Sequence, residues 1–314
     1  MKILATRGWE DWEKAEISRA VPNVTFLDPE HDGRLEDLVN QADVFFGFPT
    51  LPLQVIVKSP TLKLIHVPST GVDRFLTPEL KGSPIVLTNS RGVHARPVAE
   101  HAVALMLALA YRILEFGRNQ TAAVWRGVPI DRLEGKTAGL LGLGAIGQEI
   151  ARKCKAFDMR VIGLRRNEGK IPDWVDQVFP PQGIDELLRQ ADFVLCSLPL
   201  TQETMHLMDY RRFSAMKPTA FFVNVGRGQV VKDEDLVRVL REGLIRGAGL
   251  DVFEVEPLPQ DSPLWKMENV IVTPHAAGNA PANRKRVLDI LIENLRRLER
   301  GLPLLNVVDK TLGY

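Results

Sequence analysis

Twice along this chain, short runs rich in β-branched and aromatic residues alternate with polar stretches of helical character. No other feature narrows the possible fold as far. The first series runs KILAT, VTFLD, DVFFGF, LKLIHV and PIVLTN, with WEDWEKAEISRA, GRLEDLVNQ and a short segment near LQVIV between them. The second begins at KTAGLLG and continues through RVIGL, DFVLCSL, AFFVNV, GAGLDV and VIVTP. Alternation of this kind predicts parallel strands joined by crossover helices. A chain of 314 residues exceeds one core of ordinary size, so each series is expected to form its own domain. The expected class is α/β, with two doubly wound parallel-sheet domains. One long helix is expected from Pro97 to about 119, and a last one from about 281 to 300.

The 40 basic and 39 acidic residues are well mixed, and a net charge of +1 offers no basic face for nucleic acid. The opening MKILATRG has too few apolar residues for a secretory signal and reads as a first strand. The longest apolar run, AVALMLALAY at 102–111, is far shorter than the ~20 residues of a membrane span and reads as a buried helix. Cys154 and Cys196 lie far apart in apolar surroundings, as reduced core thiols do. The histidines do not cluster at ligand spacings, so no metal is expected. These features together predict a cytoplasmic protein without a membrane or nucleic-acid partner.

Gly142-x-Gly144-x-x-Gly147 follows the strand-like AGLL, and Ile146, Ile150, Cys154 and Phe157 then recur at helical spacing. A bare GxGxxG is a weak signal; between a strand and a helix it marks a dinucleotide turn. Gly142 permits the tight turn, Gly144 admits the pyrophosphate, and Gly147 lets the helix approach the strand. At the end of the next strand, where an acid usually holds the adenosine ribose, RVIGLRRN offers Arg165 and Arg166. Guanidinium groups suit the 2′-phosphate that an acid would repel, so NADP is expected in preference to NAD. The alternative is that both arginines are solvated loop charges.

Three later segments have the look of active-site loops: FFVNVGRGQVV with Arg227 between two glycines, GLDVFEVEP with Asp251, Glu254 and Glu256, and NVIVTPHAAGN with His275 at a strand end. Glu254 and Glu256 share strand parity, so alternation does not choose between them. With STGVD, VAEHAVALMLAL, GLGAIG, LPLTQET and NVVDKTLGY, these segments in this order resemble the D-isomer-specific 2-hydroxyacid dehydrogenase family over nearly the whole chain.

The resemblance implies a flavodoxin-like substrate domain, discontinuous over 1–96 and 289–314, and a Rossmann nucleotide-binding domain over 97–288. It assigns catalysis to Arg227, Glu256 and His275, the DVFxxEP match selecting Glu256. The chemistry is coherent without the family. Hydride delivered to a 2-keto acid leaves an alkoxide that needs a proton. An imidazole, titrating at ~6.5, can supply it. The carboxylate would orient the ring, and the guanidinium would bind the substrate oxygens and offset developing charge. The resemblance further implies that Ser69, Thr70 and Gly71 receive the substrate carboxylate along with Arg227 and His275. Cofactor contacts are implied for Thr70, Gly142, Gly144, Ala145, Ile146, Gly147, Arg165, Arg166, Leu198, Val225, Gly226, Asp251 and Gly278, with Asp251 facing the carboxamide.

Arginine at the second-strand end resembles glyoxylate and hydroxypyruvate reductases, so small 2-keto acids lead as substrates, with a homodimer expected. Phe48, Pro49, Thr50 and Trp265 are candidates for shaping specificity. His94, His101 and His206 match no role, and His66 reads as a half-buried strand residue. Two other readings share the fold. A formate dehydrogenase would carry glutamine where Glu256 stands, and a non-catalytic NAD(P)H-sensing regulator would keep much of the site.

Overall fold

The computed structural model describes residues 1–48, 50–166 and 169–313. They divide into two compact units, one formed by Met1–His94 with the chain from Ala280 onward, the other by Ala95–Asn279.

In the first unit β1 (Lys2–Ala5), β2 (Thr25–Leu27), β3 (Val44–Phe46), β4 (Leu64–Val67) and β5 (Val86–Asn89) form a parallel sheet in the order β2-β1-β3-β4-β5. That is the flavodoxin-like order. Successive side chains leave a strand on opposite faces. Phe45 of β3 therefore packs with Leu4, Ile65 and Leu87, while Val44 and Phe46 pack with Ile3 and Leu64 on the other side. Both faces are apolar, as a sheet covered by helices on both sides requires. One of the covers comes from the far end of the sequence. Helix Asn283–Glu299 sets Val287, Leu288, Leu291, Ile292 and Leu295 against the second face. The chain thus re-enters the first unit at Ala280, ahead of 289, because a crossing at 289 would divide a helix whose apolar stripe serves one sheet.

The second unit has seven parallel strands: β6 (Thr137–Leu141), β7 (Arg160–Leu164), β8 (Gln177–Phe179), β9 (Phe193–Cys196), β10 (Phe221–Asn224), β11 (Gly247–Leu250) and β12 (Val270–Val272). Their order, β12-β11-β10-β9-β6-β7-β8, is the Rossmann order with one strand added at the end. β8 is absent from the sequence reading because its three residues hold only two apolar side chains, too few to alternate.

The single helix expected from 97 to about 119 is two. Ala95–Ala110 is buried along one side of the sheet, and Ile113–Thr121 leaves it at 64°. The break falls at Arg112, whose φ of 56° is left-handed, with its Nε donating to Glu115 at 2.9 Å. The apolar spacing runs through the break, but Ile113 and Leu114 face outward and the second helix buries no residue. No single helix among the described residues is long and apolar enough to cross a membrane.

Candidate active site

β6 ends at Leu141, and the chain turns through Gly142, at φ 104°, into helix Ala145–Lys155. Gly144 caps that helix without a side chain, and the first intrahelical bond is Gln148 N–H to Gly144 O at 3.0 Å. The N–H groups of Ala145, Ile146 and Gly147 therefore point off the helix end, where its dipole favours an anion. A Cβ on Gly147 would lie 2.0 Å from Gly142 O, so only glycine lets the helix start this close to the turn. A Cβ on Gly144 would meet nothing within 4 Å; this is the open side of the cradle. On its flank Ser197 Oγ donates to Gly142 O at 3.4 Å and the half-buried Leu198 side chain closes in. The turn fits a dinucleotide pyrophosphate.

The residues expected to react stand at the carboxyl ends of three neighbouring strands of this same sheet. β10 leads to Arg227, β11 to Asp251 and Glu256, and β12 to His275. His275 Nδ1 donates to Glu256 Oε2 at 2.8 Å, and Phe253 N–H donates to Glu256 Oε1 at 3.1 Å. With Nδ1 protonated and held by the carboxylate, Nε2 is the nitrogen left to exchange a proton. The His275 side chain is about half exposed, at 48%, whereas that of Glu256 is 21% exposed. Glu254 has a different partner: its Oε1 meets His206 Nε2 at 2.7 Å, and its Oε2 accepts from Asp233 N–H.

Arg227 owes its position to the two glycines beside it. A Cβ on Gly226 would fall 2.7 Å from Leu198 O, and one on Gly228 would fall 1.8 Å from Phe253 O. Backbone therefore lies against backbone on both sides, and the Arg227 loop sits directly on the loop that carries Glu256. Buried Asn224 fixes it from beneath, accepting from Gly226 N–H at 3.1 Å and donating to Arg227 O at 3.2 Å.

Asp251 is only 1% exposed. Its Oδ1 accepts from Thr273 Oγ1 at 2.6 Å and Ala276 N–H at 2.9 Å, and its Oδ2 from Ala277 N–H at 2.9 Å. Burial pushes this carboxyl up, but hydrogen bonds from His101, Thr273, Ala277 and Ala276 outweigh it and hold the pKa below the usual range. Asp251 thus secures the turn of His275, whose own N–H reaches Asp251 O at 2.8 Å and whose φ is 51°. His101 matches no role in the sequence, and its place is structural: its Nε2 lies 2.9 Å from Thr273 Oγ1 and 3.4 Å from Asp251 Oδ1. The available signal was an imidazole at the head of the apolar run that fills the rest of the helix.

The remaining cofactor candidates of this unit sit around the same strand ends. Arg165 and Arg166 follow β7, the Val225 side chain is buried in the core, and Gly278 follows the His275 turn. Ser69, Thr70 and Gly71 belong to the first unit, after β4. There Ser69 O accepts from Ser90 N–H, Thr70 O from Asn89 Nδ2, and Gly71 O from Ser69 Oγ. No acceptor among the described residues meets the N–H groups of these three. His94 braces the segment by donating from Nε2 to Pro68 O at 2.9 Å. His66 is fully buried, not half-buried, stacked on Phe46 and bonded through Nδ1 to Thr88 Oγ1 at 2.8 Å. Phe48 is exposed, Trp265 donates to Pro259 O, and Pro49 lies outside the described residues.

A Rossmann sheet with a dinucleotide turn, and an imidazole–carboxylate pair at the same sheet's carboxyl edge, defines a nucleotide-dependent dehydrogenase. The sequence profile of the D-isomer specific 2-hydroxyacid dehydrogenase NAD-binding domain matches residues 103–277. Glyoxylate reductase of Korarchaeum cryptofilum is 36% identical over 274 residues, covering 84% of this chain and 81% of its own. The D-isomer specific 2-hydroxyacid dehydrogenase of Xanthobacter autotrophicus, in complex with NADPH and MES, superposes with a TM-score of 0.86 at 32% identity, over 100% of this chain and 99% of that one. NADPH-dependent glyoxylate/hydroxypyruvate reductase of Sinorhizobium meliloti, in complex with NADP and sulfate, also reaches 0.86, at 28% identity over 100% and 99%. This chain belongs to the D-isomer specific 2-hydroxyacid dehydrogenase family. Its reaction class is the NAD(P)-dependent interconversion of 2-hydroxy and 2-keto acids.

Proposed function

We propose that the protein is an NADP-preferring reductase of small 2-keto acids, glyoxylate or hydroxypyruvate, acting as a cytoplasmic homodimer. The observation that carries the catalytic reading is the 2.8 Å bond between His275 Nδ1 and Glu256 Oε2 at the edge of the dinucleotide-binding sheet. Small substrates are supported by the names of the relatives, and NADP by Arg165 and Arg166 after β7.

When bound, the nicotinamide supplies the hydride. Arg227 binds the carboxylate and carbonyl oxygens, orienting the keto carbon and offsetting the negative charge that grows on oxygen. His275, as the imidazolium, gives its Nε2 proton to that oxygen and is left as the neutral Nδ1–H imidazole, and Glu256 orients the ring through Nδ1 and pairs with its charge before the transfer. The N–H groups of Ser69, Thr70 and Gly71 would receive the substrate carboxylate, and Thr70 would also help hold the cofactor. Ala145, Ile146 and Gly147 bind the pyrophosphate. Leu198, Val225, Gly226, Asp251 and Gly278 would hold the rest of the cofactor, Asp251 being fixed by Ala277 N–H on its Oδ2 at 2.9 Å.

The test is a panel of 2-keto acids assayed with NADPH and NADH at the nicotinamide absorbance band. His275→Ala should lower turnover by about 10²–10⁴-fold, while dinucleotide binding, followed by nicotinamide fluorescence, persists. Tight dinucleotide binding by the wild type with no turnover of any keto acid would replace this reading with that of a sensor.

A further inference from the structure

We propose that Glu203 is a determinant of coenzyme choice, a carboxylate that holds Arg166 and moderates the preference for a 2′-phosphorylated dinucleotide. The inference rests on the reading of Arg165 and Arg166 as the 2′-phosphate site and adds an opposing group to it.

The sheet order places the pair. β6, which ends in the dinucleotide turn, lies between β9 and β7. Arg166 follows β7, and Glu203 lies in the segment that leaves β9. Their side chains form an ion pair, so the link runs across the end of the strand that delivers the dinucleotide turn. Arg165 donates within its own loop, to Gly169 O at 2.9 Å and Lys170 O at 3.2 Å.

Glu203 is not on a loose tether. Thr201 N–H donates to Thr204 Oγ1 at 2.8 Å, Thr204 N–H to Thr201 Oγ1 at 3.3 Å, and Thr204 Oγ1 to Pro199 O at 2.7 Å. Met205 N–H closes the turn on Thr201 O at 3.0 Å. The segment begins at Ser197 and Leu198, which already flank Gly142. A rigid turn seated on the dinucleotide cradle therefore presents this carboxylate to Arg166.

Electrostatics gives the consequence its sign. A 2′-phosphate carries about −1.5 to −2 charges. Its arrival must draw Arg166 away from Glu203 and then tolerate a nearby anion of like sign. A 2′-hydroxyl carries no charge and can donate to the same carboxylate. Glu203 thus raises the KM for NADP(H) and leaves that for NAD(H) the same or lower. The Glu203 side chain is 74% exposed and that of Arg166 41%, so screening keeps the effect moderate and salt-sensitive.

The experiment compares kcat and KM for NADPH and NADH, with glyoxylate as substrate, in the wild type, Glu203→Gln and Arg165→Asp. Glu203→Gln should raise the NADPH/NADH ratio of kcat/KM by about tenfold through a lower KM for NADPH, and by much less at ~0.5 M salt. A ratio within twofold of the wild type, or one moved toward NADH, overturns the role of Glu203. The underlying reading fails separately, if the wild type does not favour NADPH or if Arg165→Asp leaves its ratio unchanged. Since the Glu203→Gln ratio is taken against the wild type, its direction is decisive whichever coenzyme the wild type prefers.

Discussion

His66 stands in the middle of β4 with no exposed surface, and burial pushes its pKa from the ordinary 6.5 down to about 4. The folded protein keeps this ring neutral where the unfolded chain would protonate it. Its contribution to stability is therefore complete above pH 6.5 and is lost as pH falls toward 4. The full loss is about 3 kcal/mol. Urea midpoints of the wild type should drop from pH 7 to pH 4.5 by more than those of His66→Gln, and equal drops would show that another group governs acid sensitivity. Neighbouring residues show the limits of sequence at this scale. Glu254 and Glu256 have the same parity and similar surroundings in the chain, yet one meets His206 and the other His275. The two cysteines pose no such ambiguity: apolar neighbours announce burial, and burial raises both thiols to about 12, which leaves them protonated and unreactive.

Among the elements, loops at strand ends carry the proposed site, and glycine decides how close they come. The Gly226-Arg227-Gly228 turn was legible as a candidate because an arginine between glycines is poorly hidden by its neighbours. Why the glycines are there was not legible, since the atoms they admit belong to Leu198 and Phe253. Gly228→Ala would place a methyl group 1.8 Å from Phe253 O, so the loops of Arg227 and Glu256 must part. A shift of ~1 Å at a catalytic group costs on the order of 10²-fold in rate, and overpacking costs about 1–3 kcal/mol. We expect kcat to fall to that extent with the circular dichroism of a folded protein retained; near-wild-type kcat would show that Arg227 does not depend on this contact. Helix periodicity misled at Arg112 for a related reason. The apolar spacing continues from the buried helix into Ile113–Thr121, and spacing says which residues share a face but not what that face meets.

At the level of the whole molecule, each unit closes its own two-sided core, and the first does so only because the chain returns to it at Ala280. The second unit leaves an apolar surface uncovered. Ile113, Val124 and Ile130 are exposed, and Trp125 is exposed as fully as a free side chain, at 103%. Large apolar groups gathered in one stretch mark an association surface, and the homodimer proposed above would cover it. Trp125→Glu should shift the sedimentation mass from twice the 35.1 kDa of one chain to a single chain, with secondary structure unchanged. A wild type that sediments as one chain at every concentration would remove the dimer from the reading.

What the sequence by itself determined is what short stretches can encode. Alternating periodicity set the two α/β series, glycine spacing between a strand and a helix set the dinucleotide turn, and an ordered set of motifs set the family. Tertiary structure alone decided that Glu254 meets His206, that Asp251 and His101 secure the turn behind His275, and that Glu203 holds Arg166. The physical reason is the same in each case. Hydrogen bonds and ion pairs form between residues brought together by strand order, and a side chain's partner across the sheet leaves no trace in its own neighbours along the chain.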